Sequence, residues 1–150
     1  MGQSYIRIAL HLIFSSKERK PIIDSSIDAE LYSDLGGTCR KLDCRPIKVG
    51  GYRDHVHVLC FLSQKISLMK LLETIKSHSS KWIKTKGDQY RDFYWQDGYG
   101  AFSVGQSQIE KVKDYIARQK EKHAVRSFKD EVRAFLKKYA VEYDERYIWD

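Results

Sequence analysis

An α+β fold follows from three features of this 150-residue sequence. The predicted elements run strand, helix, strand, strand, helix, strand. The two middle strands are close enough to form a hairpin, and further amphipathic helices come only after the last strand. Hydrophobic content of 42% with 31% charged residues suits one globular domain spanning residues 1–150. No apolar run approaches a membrane span, and the first residues lack the pattern of a signal peptide. The cysteines Cys39, Cys44 and Cys60 are odd in number, so reduced thiols in a cytoplasmic protein are expected. Cys39 and Cys44 have no matching second pair for zinc. Cys60 falls on the strand face opposite His57.

Residues 4–14 (Ser-Tyr-Ile-Arg-Ile-Ala-Leu-His-Leu-Ile-Phe) form the first predicted strand. Its near-continuous apolarity implies a central place with both faces covered, with His11 as a hydrogen-bonded core residue or, alternatively, a residue near a metal. After a basic loop over 15–24, a helix is expected over 27–42, with Ile27, Leu31, Leu35 and Leu42 inward. Gly36-Gly37 within it costs about 1 kcal/mol per glycine, which implies close packing or an early break. Residues 45–49 and 54–62 read as hairpin strands joined by a turn over 50–53. Ser67 caps a second helix reaching Lys84, with Leu68, Leu71, Leu72, Ile75 and Trp82 on its apolar side. The aromatic, glycine-bearing stretch 90–102 leads into a strand over 99–104; most of its rings suit core packing, and exposed ones can stack on unpaired bases. A third helix is expected over 108–126, with Ile109, Val112 and Ile116 buried. A fourth follows over 127–140, with Phe128, Val132, Phe135 and Leu136 inward. The acidic, aromatic tail over 141–150 should pack on the surface of the domain.

Charge narrows the partners. The net charge is +7, from 27 bases and 20 acids. The last ten residues hold one base and four acids, leaving 26 and 16, or +10, for the other 140. Such an excess points to a polyanion, most often nucleic acid. Lys70, Lys76, Lys81 and Lys84 on the second helix, mixed with Ser77, Ser79 and Ser80, are candidate phosphate contacts. Within Asp54-His55-Val56-His57-Val58 the two histidines share one strand face, about 7 Å apart, and can hold one divalent ion. A bare His-x-His pattern is equally compatible with two structural histidines. On the third helix Tyr115 lies at the edge of the buried stripe, with Gln119 one turn further along.

His55-x-His57 on a strand, followed by Tyr115-Ile116-Ala117-Arg118-Gln119 on a basic helix, resembles the HUH single-tyrosine transposases of bacterial insertion sequences, which include the REP-associated tyrosine transposases. The resemblance also takes in Gly50-Gly51-Tyr52-Arg53-Asp54, Ser79-Ser80-Lys81-Trp82 and Phe93-Tyr94-Trp95-Gln96-Asp97-Gly98-Tyr99. Where many relatives carry paired histidines after the tyrosine helix, this sequence has Lys122-His123.

The resemblance implies a ferredoxin-like (RRM-like) βαββαβ antiparallel sheet with helices on one face and a catalytic helix after it. It implies Mg²⁺ or Mn²⁺ held by His55, His57 and Gln119, and Tyr115 as the nucleophile that becomes joined to a DNA 5′-phosphate. It further implies single-stranded DNA with hairpins as substrate, and homodimers in which the site can be shared between subunits. The residue types suit that chemistry. A phenol with a pKa near 10 needs its proton removed or its anion stabilised, and neutral ligands leave the full charge of an ion available to a phosphate. Asp54 and His11 read as structural. An RRM-like binder of single-stranded nucleic acid without chemistry accounts for the charge and the aromatics equally well; dependence of cleavage on Mn²⁺ separates the two. A plasmid replication initiator or relaxase shares the chemistry but usually has a larger chain.

Overall fold

A computed structural model describes residues 2–123 and 126–149. Residues 124, 125 and 150, on which parts of the expected third helix and tail fall, lie outside them. Four strands, β1 (Ala9–Ser15), β2 (Pro46–Tyr52), β3 (His55–Phe61) and β4 (Gly100–Val104), form one antiparallel sheet in the order β2-β3-β1-β4. Helix α1 (Asp28–Lys41) joins β1 to β2, and α2 (Leu68–Lys84) joins β3 to β4. The element order is the expected βαββαβ.

The sheet separates two layers because strand side chains alternate. Leu12, Phe14, Val56, Val58 and Cys60 face α1 and α2, where they meet Leu31, Leu35, Leu72 and Ile75 in the larger core. Ala9, Ile13, Leu59 and Phe102 face the opposite way, toward the helices that follow the sheet. All seven residues of β1 are buried, as its apolarity implies for an interior strand. The strand nevertheless starts five residues later than expected: Tyr5, Ile6 and Ile8 are exposed, because β3 ends its pairing at Ala9 opposite Phe61. Cys39, Cys44 and Cys60 are all free and buried.

Several local expectations change. Gly50 and Gly51 lie within β2 rather than in the turn, and Tyr52 pairs with His55 around Arg53 and Asp54. Helix α1 is not broken at Gly36-Gly37; Gly36 is buried, and a Cβ there would rest at ordinary contact, 3.8 Å, from Pro46. Ser67 caps α2 by accepting the Lys70 amide at 3.0 Å. Of the aromatic stretch, Tyr90, Phe93, Trp95 and Phe102 enter the core, whereas Tyr94 and Tyr99 stay exposed. The expected long third helix is divided into α3 (Ile109–Ala117) and α4 (Gln119–His123), where Arg118 leaves helical geometry at φ −101°, ψ 17°.

Helix α5 (Phe128–Lys138) is capped by Ser127 and closes the second layer with Phe128 and Leu136 buried. The tail packs back on it. Ile148 joins the α5 core, Glu145 pairs with Arg133, and the Trp149 carbonyl accepts from Arg19 at 3.2 Å. Among the described residues no helix is long and apolar enough to cross a membrane.

Gly50 is the contact point between sheet and α3. A Cβ there would lie 2.9 Å from Ile116 Cγ2 and 3.0 Å from its carbonyl oxygen. Gly50 pairs with His57, and Ile116 follows Tyr115, so the same close approach sets the spacing of those two residues. Gly50→Ala should destabilise the fold by about 1–3 kcal/mol through overpacking, read by urea denaturation. An unchanged midpoint would show that α3 is not seated through this contact.

Candidate active site

The alternation of β3 turns His55 and His57 toward the second layer, and both are fully buried. Helix α3 brings Tyr115 over the same face, its ring 5.8 Å from that of His57. Gln119, just past the break at Arg118, faces inward on the same side as Tyr115, 1% exposed, with Oε1 2.9 Å from His55 Nε2. The four residues singled out in the sequence therefore converge within one chain.

At their centre stands a residue that sequence reasoning missed. Glu131 of α5 is fully buried. Its Oε1 lies 3.0 Å from His57 Nε2 and 3.4 Å from His55 Nε2. Its Oε2 accepts the Gln119 amide at 3.1 Å and a short hydrogen bond from the Tyr115 hydroxyl, with His123 Nε2 3.3 Å away. The overlooked signal is positional. Residues 128, 131, 132, 135 and 136 follow the i, i+3, i+4, i+7, i+8 spacing of an inward stripe, and Glu131 is its one charged member.

Each imidazole is also held from behind. Asp54 Oδ1 accepts from His55 Nδ1 at 2.7 Å, and His11 Nε2 lies 2.7 Å from His57 Nδ1. Phe128 covers His55, with ring centroids 4.5 Å apart, and Phe135 meets His11 edge-on. His11 and Asp54 thus orient the histidines without facing the centre themselves. His123 stacks on Tyr52 and donates from Nδ1 to the Arg126 carbonyl at 2.6 Å.

The electrostatics follow from one anion among these groups. Burial alone would depress His55, but the Asp54 and Glu131 carboxylates outweigh it and hold its pKa up at about 9. Burial wins at His57, which is lowered, and at His11, where His57 adds to the effect. Burial opposes ionisation of Glu131, yet the imidazoles of His123, His55 and His57 around it hold its carboxyl far below the usual range. Tyr115 is pushed up by burial and by the neighbouring Glu131 charge. Without an ion, His57 Nε2–H donates to Glu131, which leaves Nδ1 to accept from His11.

The donor set fits a divalent cation. One ligand atom each from His55, His57 and Glu131 lies within 4.8 Å of the others. The Gln119 carbonyl oxygen is 2.9 Å from His55 Nε2, and the Asp54 carboxylate behind His55 is the kind of partner that metal-bound imidazoles use. The α2 lysines are not brought to this site; they lie in the layer across the sheet. Lys76 donates to the Gln96 and Asp97 carbonyls at 2.7 and 3.0 Å, Lys70 pairs with Glu73, and Lys84 covers the Tyr94 ring at 4.1 Å. Lys81 is exposed. Ser79 is buried as the acceptor of Trp95 Nε1 at 2.9 Å, so it does not present a hydroxyl to phosphate.

The sequence matches the family described as "Transposase IS200 like" over residues 4–119. The chain belongs to the IS200-like transposase family. The transposases for insertion sequence element IS200 of Salmonella typhimurium and Salmonella typhi are each 28% identical over 116 residues, covering 74% of this chain and 76% of theirs. Two solved structures share the fold. A putative transposase from Deinococcus radiodurans superposes with a TM-score of 0.62 at 18% identity, over 79% of this chain and 96% of that one. A REP-associated tyrosine transposase bound to a REP hairpin gives 0.58 at 14% identity, over 82% and 73%. The family match ends at Gln119, so Glu131 lies beyond the matched stretch.

Two outcomes test this electrostatic arrangement. Glu131→Ala removes the anion facing His55 and should cost about 3–5 kcal/mol in denaturation without divalent metal; a loss below about 1 kcal/mol would contradict its central place. His55 is raised on folding from 6.5 to about 9. Its stabilisation is therefore complete below pH 6.5 and is lost as pH climbs through about 9. Metal-free denaturation midpoints should fall across that window, and a flat profile would show that His55 is not held charged.

Proposed function

We propose that this transposase cuts and rejoins single-stranded DNA by attack of Tyr115 on a backbone phosphate at hairpin-flanked sites. The observation that carries the reading is convergence: phenol, two imidazoles, amide and carboxylate meet in one buried cluster. His55, His57 and Gln119 would hold Mg²⁺ or Mn²⁺, with Glu131 as a further ligand. Bound there, the ion supplies Lewis-acid stabilisation of charge on the phosphate oxygens.

The chain's own residues do the rest. The Tyr115 phenol gives up its proton to water, its oxygen bonds to phosphorus as the bond to the 3′-oxygen breaks, and the departing 3′-oxygen takes up a proton, giving a 5′-phosphotyrosine and a free 3′-hydroxyl. Glu131 orients the phenol by accepting its hydrogen bond. Rejoining is the same exchange in reverse, with an incoming 3′-hydroxyl as nucleophile and Tyr115 as leaving group, so no nucleotide hydrolysis is needed. Lys70, Lys81 and Lys84 would contact DNA away from the cut, since α2 lies across the sheet from Tyr115. Lys76, which donates to the Gln96 and Asp97 carbonyls, would act on DNA only by holding that loop.

An RRM-like platform binds bases on an open sheet face. Here that face is covered by α3, α4 and α5, with Ile13, Leu59 and Phe102 buried beneath them. This favours the enzyme over a pure binder. Self-sufficiency of the cluster also favours catalysis within one subunit, even if the chain dimerises.

Tyr115→Phe should abolish a covalent protein–DNA adduct on denaturing gels with hairpin-bearing single-stranded DNA and Mn²⁺, while DNA binding stays within about twofold. Undiminished adduct would remove Tyr115 from the reaction. Mixing Tyr115→Phe with a His55→Ala/His57→Ala protein should not restore adduct; restoration would place the tyrosine and histidines of one site on different subunits.

A further inference from the structure

Beside Tyr115, on the side away from His55, a cleft of about 540 Å³ opens between α3, α5 and the end of β4. Its volume is that of a small-ligand site; Tyr115 forms part of its wall, while His55, His57, Gln119 and Glu131 lie outside its lining. Lys111 of α3, Arg126 just before α5, and Lys138 at the end of α5 stand on its walls, and among the described residues no acid lines it. The rings of Tyr115, Phe135 and Tyr139 supply its apolar surface. Phe135 meets Tyr115 edge-on at 5.7 Å and stacks with Tyr139 at an interplanar angle of 16°. His11 closes the inner end, and its buried Nδ1 has no hydrogen-bond partner.

We infer that this cleft seats one unpaired nucleotide adjoining the phosphate that Tyr115 attacks, its base against Phe135 and Tyr139 and its phosphate between Lys111 and Lys138. The inference rests on the reading of Tyr115 as a nucleophile toward DNA. Cations around aromatic rings are the combination that holds single strands without duplex geometry. A strand whose phosphate lies at the Tyr115 hydroxyl has this opening beside it, whereas Phe128 covers His55. Confinement of an unpaired nucleotide also excludes a base-paired one, so the cleft selects single strands at the point of cutting.

The test uses the full chain in a Tyr115→Phe background and a fluorescein-labelled, mixed-sequence single strand of about a dozen nucleotides, a length that covers one site. Lys111→Gln with Lys138→Gln should weaken binding about tenfold and lower the slope of log K against log salt by about 0.7 for each phosphate no longer neutralised. The charge-matched pair Lys113→Gln with Lys137→Gln, on the same helices outside the cleft lining, should have a much smaller effect. A 5-iododeoxyuridine probe should cross-link to the peptide carrying Phe135 and Tyr139. Equal effects of the two pairs, no binding of the single strand, or cross-links only elsewhere would overturn the subsite. Adduct formation by the unmodified chain is scored separately. Cleft-dependent binding without adduct would sink the catalytic reading alone, and adduct with cleft-independent binding would sink the subsite alone.

Discussion

One buried carboxylate organises the site. Glu131 has no access to water, and its two oxygens face different partners: Oε1 the two imidazoles, Oε2 the phenol and the amide. A lone buried anion is strongly destabilising unless it is paired and fully hydrogen-bonded. Here the partners are the very groups that the proposed chemistry needs. The folded chain therefore gathers them before any DNA arrives, and the cost of ordering the site falls on folding rather than on catalysis.

The rest of the architecture serves that convergence. Strand alternation sends Val56 and Val58 into the core beneath α1 and α2 while it sends His55 and His57 the opposite way. Gly50, next to His57 in the sheet, lets α3 approach closely enough to bring Tyr115 over the histidines. Gln119, one turn beyond Tyr115 and just past the kink at Arg118, is buried on the same side. The tail holds α5, and with it Glu131, through Ile148 and the Arg133–Glu145 pair. Within the tail Glu145 is matched against Arg133 of α5 and Asp144 against Arg146, and neither acid lines the cleft beside Tyr115.

The fold was largely legible because its signals are local. Apolar runs, a serine cap and short connections placed the last three strands and the first two helices to within about three residues, while β1 starts five residues late. The histidine pair and Tyr115-x-x-x-Gln119 were visible for the same reason: each is a short pattern on one element. What was hidden depends on contacts between distant elements. Glu131 reads as a surface acid until α5 is packed against β3, and a search confined to apolar residues passes over it. No glycine or proline marks the break at Arg118. Gly50-Gly51 looks like a turn, yet it is a strand segment made smooth for a helix to cross. Ser79, grouped by sequence with exposed lysines, points inward because the Trp95 indole needs an acceptor. The exposed Tyr5, Ile6 and Ile8 show the opposite error, an apolar run that extends past its strand partner.

The central claim is that His55 and His57, held ready by Glu131, form a divalent-ion site beside Tyr115. Electron spin echo spectroscopy of the Mn²⁺-loaded chain tests it directly, since coordinated imidazole nitrogens modulate the manganese echo. The account predicts modulation from two imidazoles, reduced to one in His57→Ala and absent when both histidines are replaced. Mn²⁺ bound with no imidazole nitrogen in its coordination sphere would contradict it.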